Sequence, residues 1–201
     1  MGNFFEHFQI WKLHTPSDYL EVFVSLGLLF LAGGIMLYYA KKRRTQEAAN
    51  IRVRKALRRL CKKTGVVIPP LLGQDTLCTL MILGGAVYAV QVFPWGTNIL
   101  GQAEGKEWKL IHGTEVRLIP NPLTAIAPQL QMIKQKLSNT PAQDIPVHPL
   151  IVFADNFSHP VLGLDEKAGP YAVAYHQLKH WMKANQEGTL STSVIQQALS
   201  G

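Results

Sequence analysis

Residues 77–93 read LCTLMILGGAVYAVQVF, two apolar runs meeting at Gly84-Gly85. A pair of glycines between two such runs predicts a strand, a tight turn and a second strand, because the two-residue turns that match strand twist need positive φ. Toward the C-terminus, Ile99-Leu100 and Trp108-Lys109-Leu110-Ile111 read as further strands around a polar turn at residues 101–105. Asn121-Pro122 opens a helix with its body at residues 125–137, and a proline-rich loop follows over residues 138–149. Residues 150–154 (LIVFA) read as a short buried strand, and residues 171–185 as a closing amphipathic helix. Toward the N-terminus, residues 45–63 are rich in helix formers. Their apolar members Val53, Ala56, Leu57, Leu60 and Cys61 recur at three and four, so one face can pack while the basic residues stay in water. Gly65 and Pro69-Pro70 end that helix. The order α-β-β-β-α-β-α predicts an α/β domain with a mixed sheet.

A different physics governs residues 22–40, VFVSLGLLFLAGGIMLYYA, which carry no charged side chain and are followed at once by Lys41-Lys42-Arg43-Arg44. Nineteen residues at about 1.5 Å each give roughly 28 Å, the hydrocarbon thickness of a bilayer. This predicts a single transmembrane helix over residues 19–40, its N-terminus outside and the basic flank held in the cytoplasm by the positive-inside rule. Tyr38 and Tyr39 at one end, Trp11 and Tyr19 at the other, suit the aromatic belts, and Thr15-Pro16-Ser17-Asp18 reads as a turn and cap. A cleaved signal peptide would be shorter, with its positive charges ahead of the apolar run and a small-residue cleavage site. A buried core helix would seldom be apolar on every face. Gly27, Ala32, Gly33 and Gly34 could let two such helices approach closely, or relieve packing within a larger membrane assembly.

The net charge of +7 is uneven. Residues 41–63 hold eleven basic side chains and one acid, Glu47; the remaining nine basic residues face twelve acidic ones. The basic character therefore belongs to Lys41, Lys42, Arg43, Arg44, Arg52, Arg54, Lys55, Arg58 and Arg59. They predict a juxtamembrane segment attracted to anionic lipid headgroups, with nucleic-acid phosphate as the other polyanion it would take. The organisation expected is a short extracytoplasmic terminus (1–18), the membrane helix (19–40), a basic helix (41–64), an α/β domain (65–186) and a polar tail (187–201) with little to bury. No internal repeat is visible.

Chemistry-bearing motifs are sparse. Cys61 and Cys78 form no CxxC pair and fall on the reducing side of the membrane. His176 and His180 stand four apart on an expected helix without the glutamate of HExxH or a third ligand. His7, His14, His112, His148 and His159 read as scattered polar residues in loops and turns, and Glu104, Glu107 and Glu115 as solvating an exposed hairpin. Ser158-His159 lacks a GxSxG elbow, and there is neither a GxxxxGKS loop nor a GxGxxG. No cofactor is expected.

Several stretches, taken in order, resemble the nuclease-related domain, a bacterial relative of the restriction-endonuclease-like nucleases. Residues 53–60 (VRKALRRL) resemble its first helix, 87–95 (VYAVQVFPW) its central strand and the turn after it, and Ile99-Leu100-Gly101 with Trp108 the hairpin that follows. Asn121-Pro122-Leu123 resembles its Asn-Pro helix start and 145–153 (IPVHPLIVF) its last strand. The resemblance covers about 130 residues. It implies a restriction-endonuclease-like domain, a mixed central sheet flanked by helices, following the single transmembrane helix.

That family cuts phosphodiesters with an Asp on one strand and Glu-x-Lys on the next, two carboxylates holding Mg²⁺. Here the resemblance places Cys78 at the Asp position, Gln91 at the Glu and Phe93 at the Lys. The first-helix Glu has no counterpart in residues 50–53, and the Gln expected after Asn121-Pro122 is replaced near Ala125. Asp75, an odd step from Cys78, would point to the opposite face of a continuous strand. The site is expected to hold no metal. The expected function is a binding or scaffold component of a bacterial inner-membrane complex, working beside other membrane proteins, with DNA transfer or secretion as the machinery the ancestry suggests. The alternatives are an active membrane-bound nuclease with substituted ligands and an anionic-lipid surface module.

Overall fold

The computed structural model describes residues 16–43, 45–61, 65–68, 78–138, 140–155 and 159–185, with residues 193, 195, 197 and 199. The terminus with His7, Trp11 and His14, and also Arg44, Pro69-Pro70, Asp75 and Ser158, lie outside the described residues. The chain forms two compact units, Met1–Lys42 and Arg43–Gly201.

The first unit carries helix α1 (Pro16–Arg43), which starts on a proline whose missing N–H costs a helix nothing at its first turn. Its segment Tyr19–Tyr39, 21 residues with mean hydropathy 2.2, is long and apolar enough to cross a bilayer, and none of it is buried. Phe23, Leu29, Phe30, Met36 and Leu37 all stand exposed, as a helix surrounded by lipid requires and a soluble core helix does not. A Cβ added at Gly27, Gly33 or Gly34 would meet nothing within 4 Å.

The second unit is α/β. It begins with α2 (Gln46–Leu60), capped by Thr45, whose hydroxyl accepts the Ala48 N–H, with Glu47 in the first turn and Arg58 and Arg59 in the last. That charge order complements the helix dipole. A mixed sheet follows in the order β1 (Gly65–Ile68), β2 (Thr79–Leu83), β3 (Ala86–Phe93), β7 (Val147–Phe153), β9 (Ala172–Ala174). The first three strands are antiparallel, and β3, β7 and β9 run parallel. Gly84 and Gly85 close the expected hairpin with φ of 57° and 73°, the left-handed pair that a two-residue turn needs.

Between β3 and β7 the chain forms three strands of a second, four-stranded sheet, completed by β8 after β7, in the order β6 (Glu115–Pro120), β5 (Glu107–His112), β4 (Asn98–Gly101), β8 (Val161–Leu164). It then forms α3 (Pro122–Ala125) and α4 (Ala127–Leu137). Pro128 in the first turn of α4 splits the single helix expected here, because its ring cannot continue the hydrogen-bond ladder of α3. Pro149 stands inside β7. The Pro146 carbonyl accepts from Val87 and the Ala154 N–H donates to Phe93, so even-numbered residues of β7 face β3. Pro149 faces the other way, where pairing with β9 begins only at Ile151, and its missing N–H leaves no bond unmade.

Two cores cover the two faces of the larger sheet. On one, Leu80, Ile82, Val87, Ile151 and Phe153 pack with Ile133 and Leu137 of α4 and with Ile99, Trp108 and Leu110 of the smaller sheet. On the other, Met81, Leu83, Val90, Leu150 and Val152 pack with Ala49, Val53 and Leu57 of α2 and with Leu178 and Met182 of α5 (Leu178–Ala184).

Three further expectations change. The basic helix is built into the domain, its apolar face a wall of the second core. The closing helix begins at Leu178: Tyr175–Gln177 is a 3₁₀ turn and Ala172–Ala174 a strand, since pairing with β7 outweighs the helical preference of alanine. The tail is not merely polar, because Ile195 and Leu199, one helical turn apart, are buried in the first core.

Candidate functional site

The β2–β3 register pairs Thr79 with Val90, so Cys78, one step before β2, stands opposite Gln91. Both share the face of Leu80 and Ala89, as does Phe93 two residues on. The three positions singled out by the resemblance therefore come together at one end of the sheet.

Their chemistry is neutral. Burial pushes the Cys78 thiol up to about 12, so it offers no thiolate at neutral pH. Gln91 is half-buried, and its Oε1 has no hydrogen-bond partner among the described residues. The Phe93 ring stacks on Phe153 at 5.6 Å. A neutral thiol, an amide and a phenyl ring do not fit a divalent cation, which takes oxygen ligands and carboxylate charge.

The acid missed by sequence reading is Asp155, just past β7. Its residue is 6% exposed, and its Oδ2 lies 3.6 Å from Nδ1 of His112 at the end of β5. The His112 ring packs on Trp95, which also carries the Arg117 guanidinium 4.2 Å above its ring. Asp155 is four residues beyond Ile151, the β7 partner of Gln91, which is roughly 13 Å of extended chain. One carboxylate at that remove does not complete a metal site, and no three of the described His, Cys, Asp and Glu residues converge on one. An acid immediately after the apolar run 150–154 was the signal to notice.

Two of the three hairpin acids form surface ion pairs: Glu104 with Lys167, and Glu115 with Arg117 at 2.7 Å. Such pairs contribute little to stability. His176 and His180 do not share one α-helix, since His176 sits in the 3₁₀ turn; its ring meets His159 at 4.5 Å instead. Desolvation, with the His159 charge adding to it, lowers the His176 pKa.

The basic residues divide. Lys41, Lys42 and Arg43 end α1. On α2, steps of 100° place Arg54 and Arg58 on one flank of the buried stripe, and Arg52, Lys55 and Arg59 on the other. The second flank lines a groove of about 430 Å³ with Ala56, Leu60, Tyr175, His176, Leu178 and Lys179. Arg52 is held in place: its Nη2 donates to the Ala154 carbonyl, and its guanidinium lies 5.0 Å above the Tyr175 ring. Gln46 of the same helix donates to the Val92 carbonyl, so α2 is tied to the ends of both β3 and β7.

The thiols give a direct expectation. Burial pushes Cys61 to about 11 as well. Both values are raised from 9.0, so stability from burying neutral thiols is present below about pH 9 and is lost as pH climbs through 11 and 12. At pH 8 neither cysteine should react appreciably with iodoacetamide in the folded protein, and both should react on denaturation. Rapid labelling of native Cys78, read by mass spectrometry, would contradict its raised pKa.

Comparison of the chain with protein-family models, with curated proteins and with solved structures gives no match.

Proposed function

We propose that the chain is a membrane-anchored binding protein built on a restriction-endonuclease-like domain of the nuclease-related kind that no longer cuts. The observation that carries this reading is the meeting of Cys78, Gln91 and Phe93 at one end of the β2–β3 hairpin, on the face where the resemblance sets the metal ligands. The succession of α2, the meander β1–β3, the helices α3 and α4 and the parallel partner β7 supports the ancestry. The apolar helix supports a single-pass anchor with the domain cytoplasmic, where a binding or scaffold role beside other proteins of a bacterial inner membrane fits it.

Purified full-length protein should cleave neither DNA nor RNA with Mg²⁺ or Mn²⁺. Metal-dependent cleavage that Gln91→Ala abolishes would overturn this and make the chain a nuclease with a rebuilt site. The anchor is tested separately: alkaline carbonate should leave the protein in the membrane pellet, and a reporter after Gly201 should read as cytoplasmic. Release into the supernatant, or an external reporter, would remove the membrane part of the reading.

A further inference from the structure

The groove between α2 and α5 has a charged lining of a single sign. Arg52, Lys55 and Arg59 form one wall and Lys179 stands on the other, with His176 beside it and no carboxylate in the lining. Among the described residues Lys55, Arg59 and Lys179 have no ion-pair partner. Clustered cations repel one another, and an anion between them relieves that repulsion.

We infer that this groove binds the phosphodiester headgroup of an anionic phospholipid. Three features favour a headgroup over a nucleic-acid strand. The groove is short: Arg52 to Arg59 spans seven residues, about 10 Å of helix, and offers one or two phosphates a place rather than a track. One face of the aromatic ring in its wall is already taken by the Arg52 guanidinium, 5.0 Å from the Tyr175 centroid, which leaves a base less to stack on. Its remaining lining, Ala56, Leu60 and Leu178, is apolar and suits glycerol and the first carbons of acyl chains. Only eight residues of chain lie between Arg43, the end of the apolar helix, and Arg52. On the anchored reading, on which this inference rests for its biological source of lipid, that tether keeps headgroups at high effective concentration.

The test uses full-length protein in a neutral detergent, titrated with dihexanoyl phosphatidylglycerol or dihexanoyl phosphatidylcholine and followed by calorimetry. Phosphatidylglycerol should bind saturably and the zwitterionic lipid at least about tenfold more weakly, with affinity falling as ionic strength rises. The triple variant Lys55→Gln, Arg59→Gln, Lys179→Gln should bind about a hundredfold more weakly. The double variant Lys134→Gln, Lys136→Gln removes two exposed charges from α4, on the opposite face of the sheet, and should stay within about twofold of wild type. Circular dichroism and thermal unfolding check that each variant folds. A triple variant that does not fold is replaced by Lys179→Gln alone, which should still weaken binding severalfold.

Equal binding of the two lipids, or equal losses in the triple and double variants, would overturn the site. Inorganic phosphate competing at the same concentration as the lipid would overturn the lipid as its ligand. A single-stranded oligonucleotide binding more tightly through the same three residues would assign the groove to nucleic acid instead. Short-chain lipid in detergent needs no anchor, so carbonate release with lipid binding intact would sink the anchored reading and leave the groove standing.

Discussion

Phe153→Ala is expected to destabilise the domain by about 3–5 kcal/mol, the range for truncating a fully buried aromatic. Phe153 is the last residue of β7 and has no exposed surface. Its ring lies between Phe93 of the larger sheet, at 5.6 Å, and Trp108 of the smaller, at 6.2 Å. Truncation opens a cavity where the two sheets meet. Trp108 is held from moving in to fill it, because its Nε1 donates to the Gln102 carbonyl at 3.0 Å. Phe153→Leu, which retains most of the volume, should cost about 1.5 kcal/mol. Urea unfolding of full-length protein in detergent, followed by tryptophan fluorescence, measures both. A loss below about 1 kcal/mol for Phe153→Ala would mean that the sheets do not depend on this ring.

Asn121→Ala should cost about 2–4 kcal/mol, a large effect for removing one amide. Asn121 is 1% exposed, and its Oδ1 accepts the Leu123 N–H at 2.9 Å, capping α3. Its Nδ2 donates to the carbonyls of Ala103 at 2.8 Å and Gly105 at 2.7 Å, with Gln102 at 3.3 Å. One side chain thus holds both a helix start and the β4–β5 loop. Alanine loses a cap, worth about 1 kcal/mol, and takes the Asn121 donor from the part-buried carbonyls of Ala103 and Gly105, at about 1–3 kcal/mol more.

Asn121→Asp separates these roles. A carboxylate keeps the acceptor for Leu123 but turns an anion toward three carbonyls, which raises its folded pKa above the unfolded value of about 3.9. Any stability the protonated form retains is present below that value and is lost as pH rises through the folded pKa. The variant should therefore lose stability relative to wild type between about pH 4 and 7. Equal penalties at both ends would show that donation to the loop carbonyls matters little.

Local chemistry was readable where near neighbours decide it. The Gly84-Gly85 turn fixes the β2–β3 register, and from a two-residue turn alone Cys78 falls opposite Gln91. The pairing of these two positions was therefore legible. Asn121-Pro122 announced a helix start, although its bonds to the loop across residues 102–105 could not be counted from sequence.

Elements whose reason lies in distant partners were not legible. The strands β1, β6 and β8 have four to six residues and pair at sheet edges. Their length gives periodicity little to act on. Ala172–Ala174 has the composition of a helix and becomes a strand because β7 offers it a parallel edge. The same distance hid the functional surfaces. Asp155 and His112 meet across forty-three positions, and Lys179 faces Arg52 and Arg59 only because α5 and α2 cover the same face of the sheet.

By itself the sequence determined the properties that add up along the chain. These are the uncharged stretch of bilayer length, the basic segment after it, the central hairpin, and the neutral side chains at residues 78, 91 and 93. Tertiary structure alone decided which of those charges share a groove and which apolar residues close the cores, Ile195 and Leu199 among them. The division has one physical cause. Hydropathy, turn conformation and capping act over a few residues, whereas a groove or a buried acid exists only once elements far apart in sequence are brought together by burial of apolar surface.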